Sequence, residues 1–319
     1  MSNLHETPTV LVLCGGLSPE RDVSIRSGRR VAEALRSQGL AVTTADADAS
    51  LLQRLAEARP QCVLPALHGT GGEDGSLSDV LTTVGIPFVG SPADPARLAF
   101  DKSVAKGVVR HWQLPTPDSV ALPHSMFREL GAAQLLDRLV DRLGLPLMVK
   151  PTRGGSALGA SIVHEATELP AAMVGAFAYG DVALVERYVA GTELAVSVID
   201  TDEGPVALPA VEIVPDGGFY DYNARYTAGA TEFFSPARLD QATAARVEDI
   251  AVAVHQNMSL RDYSRIDLIV GEDSEPMFLE ANVSPGITET SLLPQAVEAA
   301  SRDLGAVFAQ LVHRAIDRG

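Results

Sequence analysis

Residues 265–286, RIDLIVGEDSEPMFLEANVSPG, carry the most information in this chain. The stretch reads as two short apolar strands joined by an acidic turn from Gly271 to Pro276. Asp267 falls on the first strand, Glu280 and Asn282 on the second. Side chains alternate faces along a strand, so Glu280 and Asn282 share one, and Asp267 joins them if the strands pair. Two carboxylates and an amide oxygen form a hard-oxygen set that suits Mg²⁺ better than Zn²⁺. Such a cation usually keeps room for substrate phosphates, which points toward ATP. The plain alternative is a solvated strand face on an acidic protein.

The rest of the chain bounds the answer. Its 319 residues, 46% hydrophobic and 21% charged, describe a globular protein of two or three domains. No apolar run is long enough to span a membrane, and the start, MSNLHETPTVLVLCGG, leads directly into a strand rather than through a signal peptide. Cys14 and Cys62 sit in apolar, strand-like runs, as expected of buried thiols in a reducing cytoplasm. A net charge of −16 argues against broad binding to nucleic acid or anionic membranes. An anionic substrate therefore needs a locally positive site. Only three of the 25 basic residues are lysines: Lys102, Lys106 and Lys150. Lys150 ends an apolar strand, LPLMVK, just before a glycine-rich loop, a position suited to phosphate contact. Lys106 by itself supports no argument.

Three blocks emerge along the chain. Over residues 1–95, strands and helices alternate and predict an α/β fold with a parallel sheet, whose ligands lie at the carboxyl ends of strands. Those ends carry GGLSPE (15–20) and HGTGGEDG (68–75). Gly15-Gly16 lacks the third glycine of a dinucleotide-binding fingerprint, which disfavours a nicotinamide dehydrogenase. In the second block, 96–185, one helix covers DPARLAFDKSVAKGVVRHWQL and another about Met126–Leu143. The loop TRGGSALGA (152–160) lies between strands, so it is no P-loop; it reads as a flap whose N–H groups cover phosphates, or as a plain hairpin turn. The third block, 186–319, holds a long irregular segment, PDGGFYDYNARYTAGATEFFSPARL, whose aromatic residues argue for a substrate-covering loop.

Together these motifs resemble the D-alanine–D-alanine ligases of the ATP-grasp superfamily. The resemblance runs nearly the whole length, through GGLSPERDVS, ALHGTGGEDGSL, DK, MVKPTRGGSALG, VERYVAGTE, FYDYNARY, SRIDL and FLEANVSPGITETSLLP. It implies a three-domain ATP-grasp fold, with an N-terminal parallel α/β domain and the last two domains gripping ATP. It implies formation of D-Ala-D-Ala for peptidoglycan through an acyl phosphate, in the cytoplasm and commonly as a homodimer. Asp267, Glu280 and Asn282 would hold Mg²⁺, or Mn²⁺ in its place, as two ions. Lys102 and Lys150 would contact the α- and β-phosphates, with Gly155, Ser156 and Ala157 in the flap over the γ-phosphate. Glu186, Tyr188 and Val189 would meet the adenine and Glu193 the ribose, with Phe219 and Leu279 sandwiching the base. Arg265 and the Gly286 N–H would stabilise an oxyanion. Glu20 would bind the ammonium of the first D-alanine, with His68 nearby, and Ser291 the carboxylate of the second. Glu20, Ser156 and Tyr226 resemble a hydrogen-bonded triad that closes the site.

Each residue also has a plainer role. His68 could be structural, Glu20 a first-turn acid, Tyr226 packing, and Ser291 a helix cap. Two positions depart from the family pattern. Arg225 stands where lysine is usual, and Ala157 where a second serine is usual. Both bear on the acceptor, leaving D-Ala-D-Ser or another dipeptide ligase as alternatives. A non-catalytic nucleotide-binding protein is disfavoured, because the metal ligands and Arg265 are all present.

Overall fold

The computed structural model describes residues 7–227, 229–271 and 274–319, with only the backbone of Tyr226. The acidic turn at 272–273 and the first six residues lie outside these.

The chain starts with β1 (Thr9–Cys14), α1 (Arg21–Ser37), β2 (Ala41–Asp46), α2 (Leu51–Ala58), β3 (Cys62–Pro65) and α3 (Ser76–Val84). The three strands form a parallel sheet in the order β2-β1-β3. Central β1 (TVLVLC) is apolar almost throughout because helices cover both of its faces. Gly28 lets α1 lie against it: a Cβ there would sit 2.5 Å from that of Cys14. After α3, the stretch IPFVG (86–90) adds one parallel bridge to this sheet, between Val63 and Phe88.

Next come α4 (Ala93–Phe100), α5 (Lys102–His111), β4 (Ser119–Pro123), α6 (His124–Leu130), α7 (Ala132–Leu143), β5 (Leu147–Pro151), β6 (Ser161–Val163), α8 (Leu169–Phe177) and β7 (Val182–Arg187). Each helix expected to run unbroken here is two. Asp101 is extended and caps α5 by accepting from the Ser103 and Val104 N–H groups, so the chain turns between α4 and α5. Gly131, at φ 86°, divides α6 from α7. The sheet order is β4-β7-β5-β6, with α7 and α8 filling its core. Helices α4 and α5 instead share the core of the next sheet.

The last part comprises β8 (Thr192–Thr201), β9 (Gly204–Ala207), β10 (Val211–Pro215), α9 (Tyr222–Tyr226), β11 (Thr231–Phe234), α10 (Gln241–Asn257), β12 (Tyr263–Val270), β13 (Pro276–Asn282), α11 (Leu292–Ala299) and α12 (Leu304–Arg318). Its sheet runs β11-β10-β8-β12-β13, with β9 on β8. One face packs on α4, α5 and α10; the other joins α11 and α12 to the N-terminal sheet in one core. The segment expected to be irregular is ordered locally. Asp221 caps α9 through the Ala224 N–H (2.8 Å), β11 pairs with β10, and Tyr220 stacks edge-on against Phe233.

The hairpin of β12 and β13 places Arg265 opposite Asn282 and Asp267 opposite Glu280. Leu268 then pairs with Phe278, so Leu279 is an extra residue in a β-bulge. The bulge breaks strict alternation, and consecutive Leu279 and Glu280 both line the cleft described below.

Candidate active site

Two adjoining cavities lie between the sheets. The larger, about 1120 Å³, is enclosed by β5, β7, β12, β13, the 152–160 loop and the segment before α9. The smaller, about 720 Å³, extends from it toward α1 and α11. Gly155, Tyr220, Arg225 and Glu280 border both. Every residue singled out from the sequence lines one or the other, except Tyr226, whose side chain is outside the described residues.

In the larger cavity, a buried ion-pair network underlies the cleft. The Glu186 carboxylate is held at both oxygens, by Lys150 Nζ (2.6 Å) and by Lys106 Nζ (2.8 Å). Burial would raise this carboxyl, but Lys150 and Lys106 override it and hold the group down at about 2. Glu186 is thus engaged from behind and does not offer its carboxylate to the cleft. Lys150 is lowered by burial and raised more by Glu186, ending above its ordinary value. Lys102 bridges Glu280 (2.9 Å) and the Gly154 carbonyl (2.7 Å), joining β13 to the loop. Tyr188 donates its N–H to the Pro146 carbonyl (3.1 Å), so only its carbonyl side is turned to other partners. Glu193 is raised to about 7 by burial, with Arg225 drawing it down and Asp267 and Glu280 pushing it up.

At the junction, Arg265 forks onto Asp267 through Nε and Nη2, both at 2.7 Å. Burial disfavours the guanidinium, but the carboxylate more than offsets this and holds it above the ordinary arginine value. Burial, and after it the Glu280 carboxylate, push Asp267 upward against the pull of Arg265, whose two short bonds come from a cation charged at any accessible pH. Asn282 donates Nδ2–H to Asp267 Oδ2 at 3.2 Å. Glu280 is raised by burial and lowered further by Lys102, Lys150 and Arg225, so it stays ionised. The set Asp267, Glu280 and Asn282 therefore offers oxygen donors on paired strands and no sulfur or imidazole, a chemistry that fits a hard divalent cation.

In the smaller cavity, the 152–160 loop closes onto the N-terminal sheet. Ser156 Oγ donates to Glu20 Oε1. Ser156 and Ala157 both take left-handed backbone angles (φ 54°). Glu20 lies close to two glycines: a Cβ at Gly155 would lie 2.9 Å from its Oε1, and Gly69, whose φ of 72° favours glycine, approaches Oε2. His68 joins the N-terminal sheet to the segment after β13. Its Nδ1 meets the Ser284 carbonyl and its Nε2 the Ser27 hydroxyl, both at 2.9 Å. A carbonyl only accepts, so Nδ1 carries the proton and Nε2 accepts from Ser27, which itself accepts from the Ile287 N–H (3.1 Å). Burial lowers His68 to about 4, so the ring is neutral. Ser291 stands at the N-cap of α11 without a capping bond; its hydroxyl accepts from the Thr288 N–H (2.9 Å), and a Cβ at Gly286 would press on it at 2.7 Å.

Sequence reasoning missed Lys106 and Glu73. Lys106 lies four residues after Lys102 on α5, hence on the same helix face, and that spacing was the available signal. Glu73 is buried beneath Glu20, accepts from the Gly69 N–H (2.7 Å), and is raised to about 8 by burial and then by Glu20.

The family model described as "D-ala D-ala ligase C-terminus" matches residues 108–317. The chain is 41% identical over 309 residues to a D-alanine–D-alanine ligase of Anaeromyxobacter sp. (strain K), covering 97% of this chain and 96% of the relative. A D-alanine–D-alanine ligase from Bacillus anthracis, solved with ATP, superposes with a TM-score of 0.81 at 27% identity, covering 98% of both chains. A D-Ala:D-Ser ligase from Enterococcus faecalis superposes with a TM-score of 0.82 at 25% identity, covering 97% of this chain and 100% of that one. With the family model spanning residues 108–317 and full-length similarity of this degree, the chain belongs to the D-alanine–D-alanine ligase family.

Proposed function

We propose that this enzyme is an ATP-dependent D-alanine–D-alanine ligase that makes the dipeptide for peptidoglycan, releasing ADP and phosphate. The observation that carries this reading is convergence. The oxygen-donor hairpin, Lys102, Lys150 and the glycine-rich loop meet in one cleft, with Lys106 buried behind it. The D-alanine acceptor is favoured by the 41% identity to a D-alanine–D-alanine ligase over nearly the whole chain.

In this reading the larger cavity takes ATP. Phe219 and Leu279 flank the base, the Tyr188 carbonyl and Val189 meet its edge over the Glu186 backbone, and Glu193 takes the ribose hydroxyls. Lys102 and Lys150 contact the α- and β-phosphates, and the N–H groups of Gly155, Ser156 and Ala157 cover the γ-phosphate. Asp267, Glu280 and Asn282 would hold Mg²⁺, in two ions, whose chemistry is to neutralise phosphate charge. The smaller cavity takes the amino acids. Glu20 pairs with the ammonium of the first D-alanine while neutral His68 braces the wall; Ser291 and Arg225 serve the second. The carboxylate of the first D-alanine accepts the γ-phosphoryl group as the bond to ADP breaks. The amine of the second attacks the acyl carbon and loses a proton, and phosphate leaves. Arg265 and the Gly286 N–H stabilise the oxyanion between these steps. Glu20 and Ser156, with Tyr226 as the third member of the triad, close the loop and exclude water that would hydrolyse the acyl phosphate.

We also propose domain limits of 1–95, 96–185 and 186–319, a homodimer on the strength of the family resemblance, and a cytoplasmic location, which the unpaired Cys14 and Cys62 support. Among the described residues, no helix is long and apolar enough to cross a membrane.

The test is phosphate release with Mg²⁺, ATP and a panel of single and paired amino acids, with product masses checked. D-alanine alone is expected to give D-Ala-D-Ala. Turnover only with a mixed pair such as D-alanine and D-serine would move the enzyme to a specialised ligase, and no turnover with any pair would sink the reading.

A further inference from the structure

Lys106 is fully buried, so it touches no ligand, yet its ammonium has polar partners. It meets Glu186 Oε2 (2.8 Å), Thr116 Oγ1 (2.7 Å) and the Phe278 carbonyl (3.4 Å). Thr116 in turn donates to the same carbonyl at 2.7 Å. Two of these are hydrogen bonds and the contact with Glu186 is an ion pair. Thermodynamically the arrangement is costly, because a well-packed apolar group usually matches or betters a buried ion pair. What it changes is the charge beneath the cleft. Lys150 pairs with Glu186 at 2.6 Å, and those two alone sum to zero. Adding Lys106 gives two positive charges against one negative, a net of +1. The neighbouring pairs Lys102–Glu280 and Arg265–Asp267 are each neutral.

We propose that Lys106 is a positioning residue that neutralises Glu186 from behind, leaving the charge of Lys150 to the phosphates of the nucleotide. The inference rests on the reading of the larger cavity as the nucleotide site. It explains why an acidic chain with almost no lysine keeps one where no ligand reaches.

The test is calorimetric binding of ADP and of adenosine, which share the base and ribose but not the charge. For Lys106→Met the ratio of ADP to adenosine affinity is expected to fall about 10- to 100-fold, as loss of one nearby charge implies. In Lys106→Met/Glu186→Gln the ratio should recover to within about threefold of the original, since both members of the cancelling pair are gone. Equal weakening of ADP and adenosine would mean that Lys106 only supports the fold, and would overturn the proposal. So would an unmoved ratio, or a double variant no better than the single one. If Lys106→Met does not fold, Glu186→Gln alone decides: its ratio should stay at or above that of the unaltered enzyme, and a fall refutes the proposal. Failure of the unaltered enzyme to bind ADP would refute the nucleotide reading itself, and this inference with it.

Discussion

Glu186 and Glu73 are both buried carboxyls, one under each end of the cleft, and they reach opposite states. Glu186 lies between two lysines and is held down at about 2, whereas Glu73 has one backbone N–H and a second acid nearby and is pushed up to about 8. Burial is the first cause in both; the neighbours decide which side wins. The larger cavity, the proposed nucleotide end, is thus underlain by ions. In the smaller cavity the groups nearest Glu20 are neutral, protonated Glu73 and uncharged His68, while Arg225, Arg265 and Glu280 line its border with the larger one.

The severest way to break this contrast is to remove a charge from the ionic end. Glu280→Gln is expected to abolish phosphate release while moving the thermal midpoint little, because its partner Lys102 also holds the Gly154 carbonyl. Retained turnover would remove Glu280 from the metal set. Asp267→Ala should abolish turnover as well, but it also strands the buried Arg265. It should therefore cost about 3–5 kcal/mol in denaturant unfolding.

At the neutral end the effect appears in stability against pH. Glu73 is raised from 4.5 to about 8, so the folded state holds a proton that the unfolded state gives up in that window. Its stabilisation is complete below pH 4.5 and is lost as pH rises to 8, by at most about 5 kcal/mol. His68 has the opposite sign. Lowered from 6.5 to about 4, it leaves stability intact above pH 6.5 and removes up to about 3 kcal/mol as pH falls to 4. The two together predict a stability maximum between these limits. Glu73→Gln, which mimics the protonated acid, should flatten the alkaline side alone. Urea unfolding across pH 4–9 checks this, and an unchanged alkaline slope would mean that Glu73 is already ionised.

How much of this was legible beforehand depended on the kind of interaction. The hairpin of β12 and β13 could be read because strand alternation is local, and Asp267 and Glu280 do pair across it. The loop at 152–160 could be read from its glycines. Alternation failed at Leu279, where the bulge turns two consecutive residues to one cavity, and nothing in FLEAN marks the extra residue. The helix breaks at Asp101 and Gly131 override an otherwise continuous apolar period, although a cap-forming Asp and a glycine were visible at those positions. Lys106 and Glu73 were opaque for a different reason. Their states are set by partners far away in sequence, Lys106 by Glu186 and the Phe278 carbonyl, and Glu73 by Glu20. Only a folded chain brings these groups together.

The mildest test lies where the two ends meet. Arg225 borders both cavities, donates Nε–H to the Tyr220 carbonyl (3.2 Å), and lays its guanidinium over the Tyr220 ring, 4.2 Å from its centroid. Lysine, usual in the family, would keep the charge but lose the planar stacking and the Nε bond. That difference is worth about 1 kcal/mol, or roughly fivefold in an apparent affinity. Arg225→Lys is expected to move the KM for the second amino acid by this amount and to leave the KM for ATP within about twofold, given how little of the guanidinium's bonding faces the nucleotide end. A shift confined to ATP would instead assign Arg225 to the ionic end, and the boundary between the two chemistries would then lie beyond Tyr220.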